Sequence, residues 1–213
     1  MGELYDSIKA EMETTIDIVS ETELHEILAL QKLAYISEAE IYNDFNLPPL
    51  VQTLEELEEE AKKSIVLKAV EHSCIVGSVR AFENNGTCYI GKLIVHPQYQ
   101  NKGIGKKLIR AVENHIVSQR YELFTGHLSL KNLALYEKLG YRSFKEEIVN
   151  EGLRLVYLEK KPERDFVYSG LKAGEELLVS EMVWEVFSEF VAPGYSSDFL
   201  HKYGKYVTIW GKK

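Results

Sequence analysis

The stretch Leu93-Ile94-Val95-His96-Pro97-Gln98-Tyr99-Gln100-Asn101-Lys102-Gly103-Ile104-Gly105-Lys106-Lys107-Leu108 has the residue types of an anion site. A β-branched apolar run stops at a proline, a polar turn follows with two glycines two apart, and an amphipathic helix begins. Glycines where a strand hands over to a helix let backbone amides converge on one anion, and the helix N-terminus adds partial positive charge. Lys102, Lys106 and Lys107 add full charges. The pattern reads as a pyrophosphate cradle. Two other phosphate loops fail on spacing. A P-loop needs Ser or Thr where Lys107 stands, and a dinucleotide fingerprint needs a third glycine where Leu108 stands.

A second constellation is Asn132-Leu133-Ala134-Leu135-Tyr136-Glu137-Lys138-Leu139-Gly140-Tyr141. On a helix, positions i and i+4 share a face, so Asn132 and Tyr136 reach one cleft. Gly140 ends that helix as a C-cap glycine.

The elements that must position these groups are legible from periodicity. Residues 15–19 alternate as a strand, and a helix is expected from about 21 to 35. Residues 37–53 have no clean period and read as a loop with short helical pieces. Thr53 and Glu56 form a capping box for an acidic helix over 54–63. Strands are expected over 64–69, 74–82 and 87–95, with Asn84-Asn85-Gly86 as a hairpin turn. A helix over 103–118, a strand over 121–125, a helix over 130–139 and strands over 142–149 and 154–158 complete the order. Periodicity alone gives a mixed α/β chain.

Gln100-x-x-Gly103-x-Gly105 after a strand ending Val95-His96-Pro97, with Asn132 and Tyr136 ahead of Leu139-Gly140-Tyr141, resembles the signatures of the GNAT N-acyltransferase superfamily. The resemblance covers roughly residues 13–160. It implies a mixed α+β fold, with a central, mostly antiparallel twisted sheet flanked by helices. It implies an acetyl-CoA-dependent N-acetyltransferase that moves the acetyl group directly to a primary amine in a ternary complex, with no metal. The fourth and fifth strands then splay, and the backbone of Leu93, Ile94 and Val95 accepts the pantetheine arm. Gln100, Asn101, Lys102, Gly103, Ile104, Gly105 and Lys106 hold the pyrophosphate. The amide of Val95, or of Ile94, stabilises the oxyanion. Asn132 contacts pantetheine. Tyr136, a phenol with a pKa of about 10, protonates the departing thiolate.

Two positions depart from the family pattern. Ser129 stands where many members carry a CoA-contacting asparagine, and Phe124 stands where some carry a glutamate base. Glu83, His127, Glu38, Glu40 and a water chain are the candidates to take the proton of the amine. The acceptor pocket is expected from Glu38, Tyr42 and Asn43, with Asp44 and Phe45, facing Phe124, Thr125 and His127. Aromatics beside carboxylates suit a cationic amine. The acceptor is a small-molecule or protein amine. The rival reading is a non-catalytic acyl-CoA-binding sensor or interaction module.

Composition sets the outer bounds. The chain has 213 residues, is 45% hydrophobic and carries a net charge of -8, which suits a soluble globular protein and argues against a nucleic-acid surface. Cys74 and Cys88 lie in apolar, strand-like runs and read as buried, inert free thiols of a reducing compartment. The N-terminus has no signal-peptide pattern, and no run of 18 apolar residues exists, so a cytoplasmic protein without membrane attachment is expected. Residues 1–161 are read as the acetyltransferase domain. Residues 162–213 resemble the opening strand and helices of a second such domain. They lack a glycine cradle and are read as docking on the first domain or on a partner, including in a homodimer, or as an unstable remnant.

Overall fold

The computed structural model describes residues 14–162, Glu175 and 181–183. The chain divides into two compact units, Met1–Glu163 and Arg164–Lys213. The expected strand, helices and homodimer contact of residues 162–213 lie outside the described residues, apart from a short helical piece at 181–183. None of the described helices is long and apolar enough to cross a membrane.

Seven strands form one sheet in the order β1-β2-β3-β4-β5-β7-β6. They are β1 Thr15–Ile18, β2 Ile65–Glu71, β3 Cys74–Asn84, β4 Thr87–Val95, β5 Arg120–Gly126, β6 Arg142–Ile148 and β7 Arg154–Lys160. All neighbours are antiparallel except β4 and β5, which run parallel. The β3–β4 hairpin turns on Asn85 (φ 50°) and Gly86 (φ 76°), two consecutive left-handed residues that match the twist of the paired strands.

Helices cover both faces. They are α1 Leu24–Tyr42, α2 Pro48–Val51, α3 Leu54–Ala61, α4 Ile104–His115 and α5 Leu130–Lys138. α4 buries Ile104, Leu108, Ile109 and Val112, spaced along one side. Burying each such side chain is worth about 1.5–3 kcal/mol. They pack on Val79, Ala81, Ile90 and Leu123 of the sheet, with Tyr136, Leu139 and Tyr141 in the same core. A Cβ on Gly77 of β3 would meet Ile104 and Leu108 at 3.1 Å, so this face of β3 belongs to α4. Arg80 is three residues on and therefore points to the other face. There its guanidinium bonds Gln31 of α1, Gln52 and Glu60 of α3. α5 shares the side of α4, since Leu135 lies 3.3 Å from where a Cβ on Gly105 would sit.

Two expectations need correction. α1 does not stop near Tyr35 but runs to Tyr42, because no helix breaker intervenes before Asn43, which takes the left-handed conformation (φ 48°) and ends it. Glu38 and Tyr42 are therefore helical residues rather than loop residues. Cys74 is exposed, because it opens β3 at a hairpin corner, while Cys88 is buried.

Candidate functional site

β4 and β5 pair from Thr87 with Arg120 to Ile90 with Leu123, and no further. Both strands continue, β4 to Val95 and β5 to Gly126, so their ends part. The cause lies in β4. Gly91 pairs with Arg80 and Ile94 with Ser78, which leaves one extra residue on β4, and Lys92 takes φ 52°. Such a bulge bends a strand and raises its twist. Beyond it, the His96 amide donates to Val76 O on the β3 side at 2.8 Å. Backbone groups alternate along a strand, so the amide and carbonyl of Val95 face the gap. The side-chain Nε2 of Gln100 donates to Val95 O at 3.4 Å.

The anion cradle follows directly. Asn101 (φ 64°) and Gly103 (φ 82°) are left-handed and turn the chain into α4. Gly103 is the N-cap and provides no side-chain cap. Among the described residues, the first amide of the helix with an acceptor is that of Lys107, which bonds Gly103 O at 3.0 Å. The amides before it are free to serve an external anion, and the helix dipole favours one there. Among the described residues, nothing beyond its chain neighbours lies within 4 Å of where a Cβ on Gly103 would be, whereas one on Gly105 would press on Leu135 at 3.3 Å and touch Leu93 and Val95. The cradle therefore stays open at Gly103, and Gly105 keeps α4 close to β4 and α5. Lys102 leans over the Tyr99 ring and pairs with Glu71 at 3.3 Å. These open donors and the parted strands fit a pyrophosphate and the arm attached to it.

Tyr136 lies on α5 and is 6% exposed, its ring 6.2 Å from that of Tyr141. Burial first, then the charges of Tyr35 and Glu38 on α1, raise its phenol well above the ordinary range. Its hydroxyl makes no hydrogen bond among the described residues. Burial and then Glu38 push the Tyr35 phenol up to about 12.

Glu38 joins α1 to α5. Ser129, the N-cap of α5, leaves its helix uncapped and donates its hydroxyl to Glu38 Oε2. The Asn132 amide donates to Glu38 Oε1 at 3.1 Å. Tyr42 lies one turn further along α1. Its hydroxyl accepts the Leu128 amide at 2.7 Å and lies 3.4 Å from Ser129 Oγ. Its ring occupies the space over Gly126, where a Cβ would fall 2.2 Å from Tyr42 Oη.

The other expected acceptor residues lie apart from this network. Asn43 is exposed and caps α1 through its backbone. Phe124 is 53% exposed and packs on Tyr157, its partner across the β5–β7 pair. His127 lies 5.9 Å from the Tyr42 ring, and its Nδ1 accepts the Arg154 amide at 3.2 Å. The sequence reading missed Tyr35 as part of the site. Its spacing of three from Glu38 sets both on one face of α1, a signal that shows only once the helix runs past Tyr35.

Residues 34–162 match the family model described as the acetyltransferase (GNAT) domain. The chain belongs to the GNAT acetyltransferase family. It is 26% identical over 140 residues to the protein YqkA of Bacillus subtilis, a match covering 65% of this chain and 40% of that protein. Among solved structures, an IAA acetyltransferase from Bacillus cereus shares 22% identity and a TM-score of 0.51, over 70% of this chain and all of that one. The PaiA N-acetyltransferase from Thermoplasma acidophilum, solved with coenzyme A, shares 18% identity and a TM-score of 0.57, over 71% of this chain and all of that one. These likenesses extend the fold assignment.

Proposed function

We propose that this chain is an N-acetyltransferase that moves the acetyl group of acetyl-CoA directly to a primary amine. The observation that carries the reading is the parting of β4 and β5 after Ile90 and Leu123, with the Val95 amide facing the gap. β4 leads on into the bare N-terminus of α4, and α5 carries the buried phenol of Tyr136. The donor substrate supplies a thioester carbonyl activated toward amines.

In this reading the free amides from Asn101 to Lys106, with Gln100 at the entrance, bind the pyrophosphate. The backbone of Leu93, Ile94 and Val95 orders the arm as an added strand. The Val95 amide donates to the carbonyl oxygen as negative charge develops on it, from a fixed position that needs no reorganisation. Asn132 orients the arm from the start of α5. Tyr136 protonates the departing sulfur. Its raised phenol keeps that proton at neutral and mildly alkaline pH. The family membership supports the same general chemistry.

The test is thiol release from acetyl-CoA, followed with a thiol reagent against an amine panel. The enzyme blank has an expected size. Cys74 is exposed and reacts at once, whereas Cys88 is buried and its thiol is pushed up to about 12 by burial. One fast thiol per chain is therefore expected before substrate is added, and the second only after unfolding. Continued release with one amine class supports transfer. Silence with every amine, while acetyl-CoA still raises the melting temperature, would favour the sensor reading.

A further inference from the structure

Resting on the transfer reading above, we infer that Glu38 is the catalytic base that takes the proton of the acceptor ammonium within the β4–β5 gap. The placement follows from the two faces of the sheet. α1, which carries Glu38, covers the face of Arg80, and α5 lies on the face of α4. Ser129 stands three residues after Gly126, at the end of β5 where β4 and β5 have parted, and Glu38 meets it and Asn132 there. Glu38 therefore sits at the passage between the side of the anion cradle and the opposite side.

The other candidates are excluded by what they already do. Glu83 pairs opposite Cys88 at the closed end of the hairpin and accepts the Gly86 amide at 2.6 Å. That end of β4 is about 23 Å from Val95 at about 3.3 Å per residue. The His127 Nδ1 lone pair is taken by the Arg154 amide. In a neutral imidazole the other nitrogen then carries the proton, so neither is free to accept one. Glu40 is exposed and two residues from Glu38, which turns it to the far side of α1.

Glu38 keeps capacity to accept. An ionised carboxylate has about four acceptor positions, and Ser129 and Asn132 take two. Among the described residues no cation pairs with it. The titratable groups around it are Tyr35 and Tyr42 on its own helix and Tyr136 on α5, with His127 beside Tyr42 and Arg80, bonded to Gln31 and Glu60, acting on Tyr35. A half-buried carboxylate beside three phenols attracts an ammonium, and among the described residues no lysine or arginine competes for it.

The protons balance. The ammonium gives one proton to Glu38 and becomes an amine. Its lone pair forms the C–N bond as the C–S bond of the thioester breaks. Tyr136 passes its proton to the sulfur. The surplus proton on nitrogen returns to the phenolate, and Glu38 releases its proton to solvent.

The experiment compares wild type, Glu38→Gln and Glu38→Asp from pH 6.5 to 10.5. The probes are acetyl-CoA with spermidine, tyramine, glycinamide, kanamycin and the tripeptide Ala-Arg-Tyr. For any amine the wild type acetylates, Glu38→Gln should lower kcat/KM at pH 7.5 by about 100-fold or more. Its rate should then climb tenfold per pH unit with the free-amine fraction and meet wild type near the pKa of the amine itself. KM for acetyl-CoA should stay within about threefold. Glu38→Asp should keep the wild-type pH shape at a reduced rate, which guards against a Gln variant that folds poorly. A Gln variant with wild-type turnover at pH 7.5, or with a loss equal at every pH, overturns the role of Glu38 alone. A wild type inactive with all five amines overturns the transfer reading, and the base with it.

Discussion

Tyr136 illustrates what one side chain contributes. Its ring is core, packed beside Tyr141, while its hydroxyl has no hydrogen-bond partner among the described residues. Tyr136→Phe keeps the ring and removes only the proton donor. The rate of thiol release should fall by about 10²–10⁴-fold, while the Kd for acetyl-CoA, measured by calorimetry, stays nearly unchanged. Equal losses in rate and affinity would refute a leaving-group role. Tyr136 and Asn132 could be singled out from the sequence because their spacing of four on one helix sets both on one face. Their relation to Glu38 could not, since it depends on a contact between residues 94 apart in the chain.

At the scale of elements, α1 matters most. Its last two turns carry Glu38 and Tyr42 but no clean apolar period, and the two isoleucines there, Ile36 and Ile41, are exposed. The helix end is fixed instead by tertiary contacts, with Tyr42 bonded to Leu128 and seated over Gly126. Gly126→Ala should expel the Tyr42 ring, since a Cβ 2.2 Å from its oxygen has no room. Urea denaturation should show a loss of about 1–3 kcal/mol. In the background Tyr42→Ala, the same glycine substitution should cost far less, because the two residues share one space. Equal costs in both backgrounds would show that Tyr42 is not what the glycine accommodates.

For the first unit as a whole, stability should have a defined pH window. Burial raises Tyr121, Tyr136, Tyr141 and Cys88, with Glu113 adding to the effect at Tyr141. The folded chain therefore holds protons that the unfolded chain releases above about pH 8.5 for Cys and about pH 10 for Tyr. That stabilisation is complete below those values and is lost as pH rises through them. On the acid side, the bond from Lys68 and then those from Ser20 hold Glu23 down to about 2. Its contribution is present above the ordinary carboxylate value and is lost as pH falls toward 2. Urea midpoints should be highest between about pH 5 and 8 and decline on both sides. A midpoint that rises from pH 8.5 to 10.5 would contradict the alkaline part of this account.

The chain by itself determined the order of the elements, the glycine cradle from Gln100 to Gly105 and the Asn132–Tyr136 face. Each of these is local, set by side-chain period, left-handed turn residues and helix caps within a few positions. Only the tertiary structure decided where β4 and β5 part, which backbone amide turns to the opening, and that Glu38 reaches Ser129 and Asn132 of α5. Those outcomes depend on one bulge residue in β4 and on helices packed on opposite faces of a sheet. Such contacts between distant residues are set by packing and leave no periodic trace in the sequence.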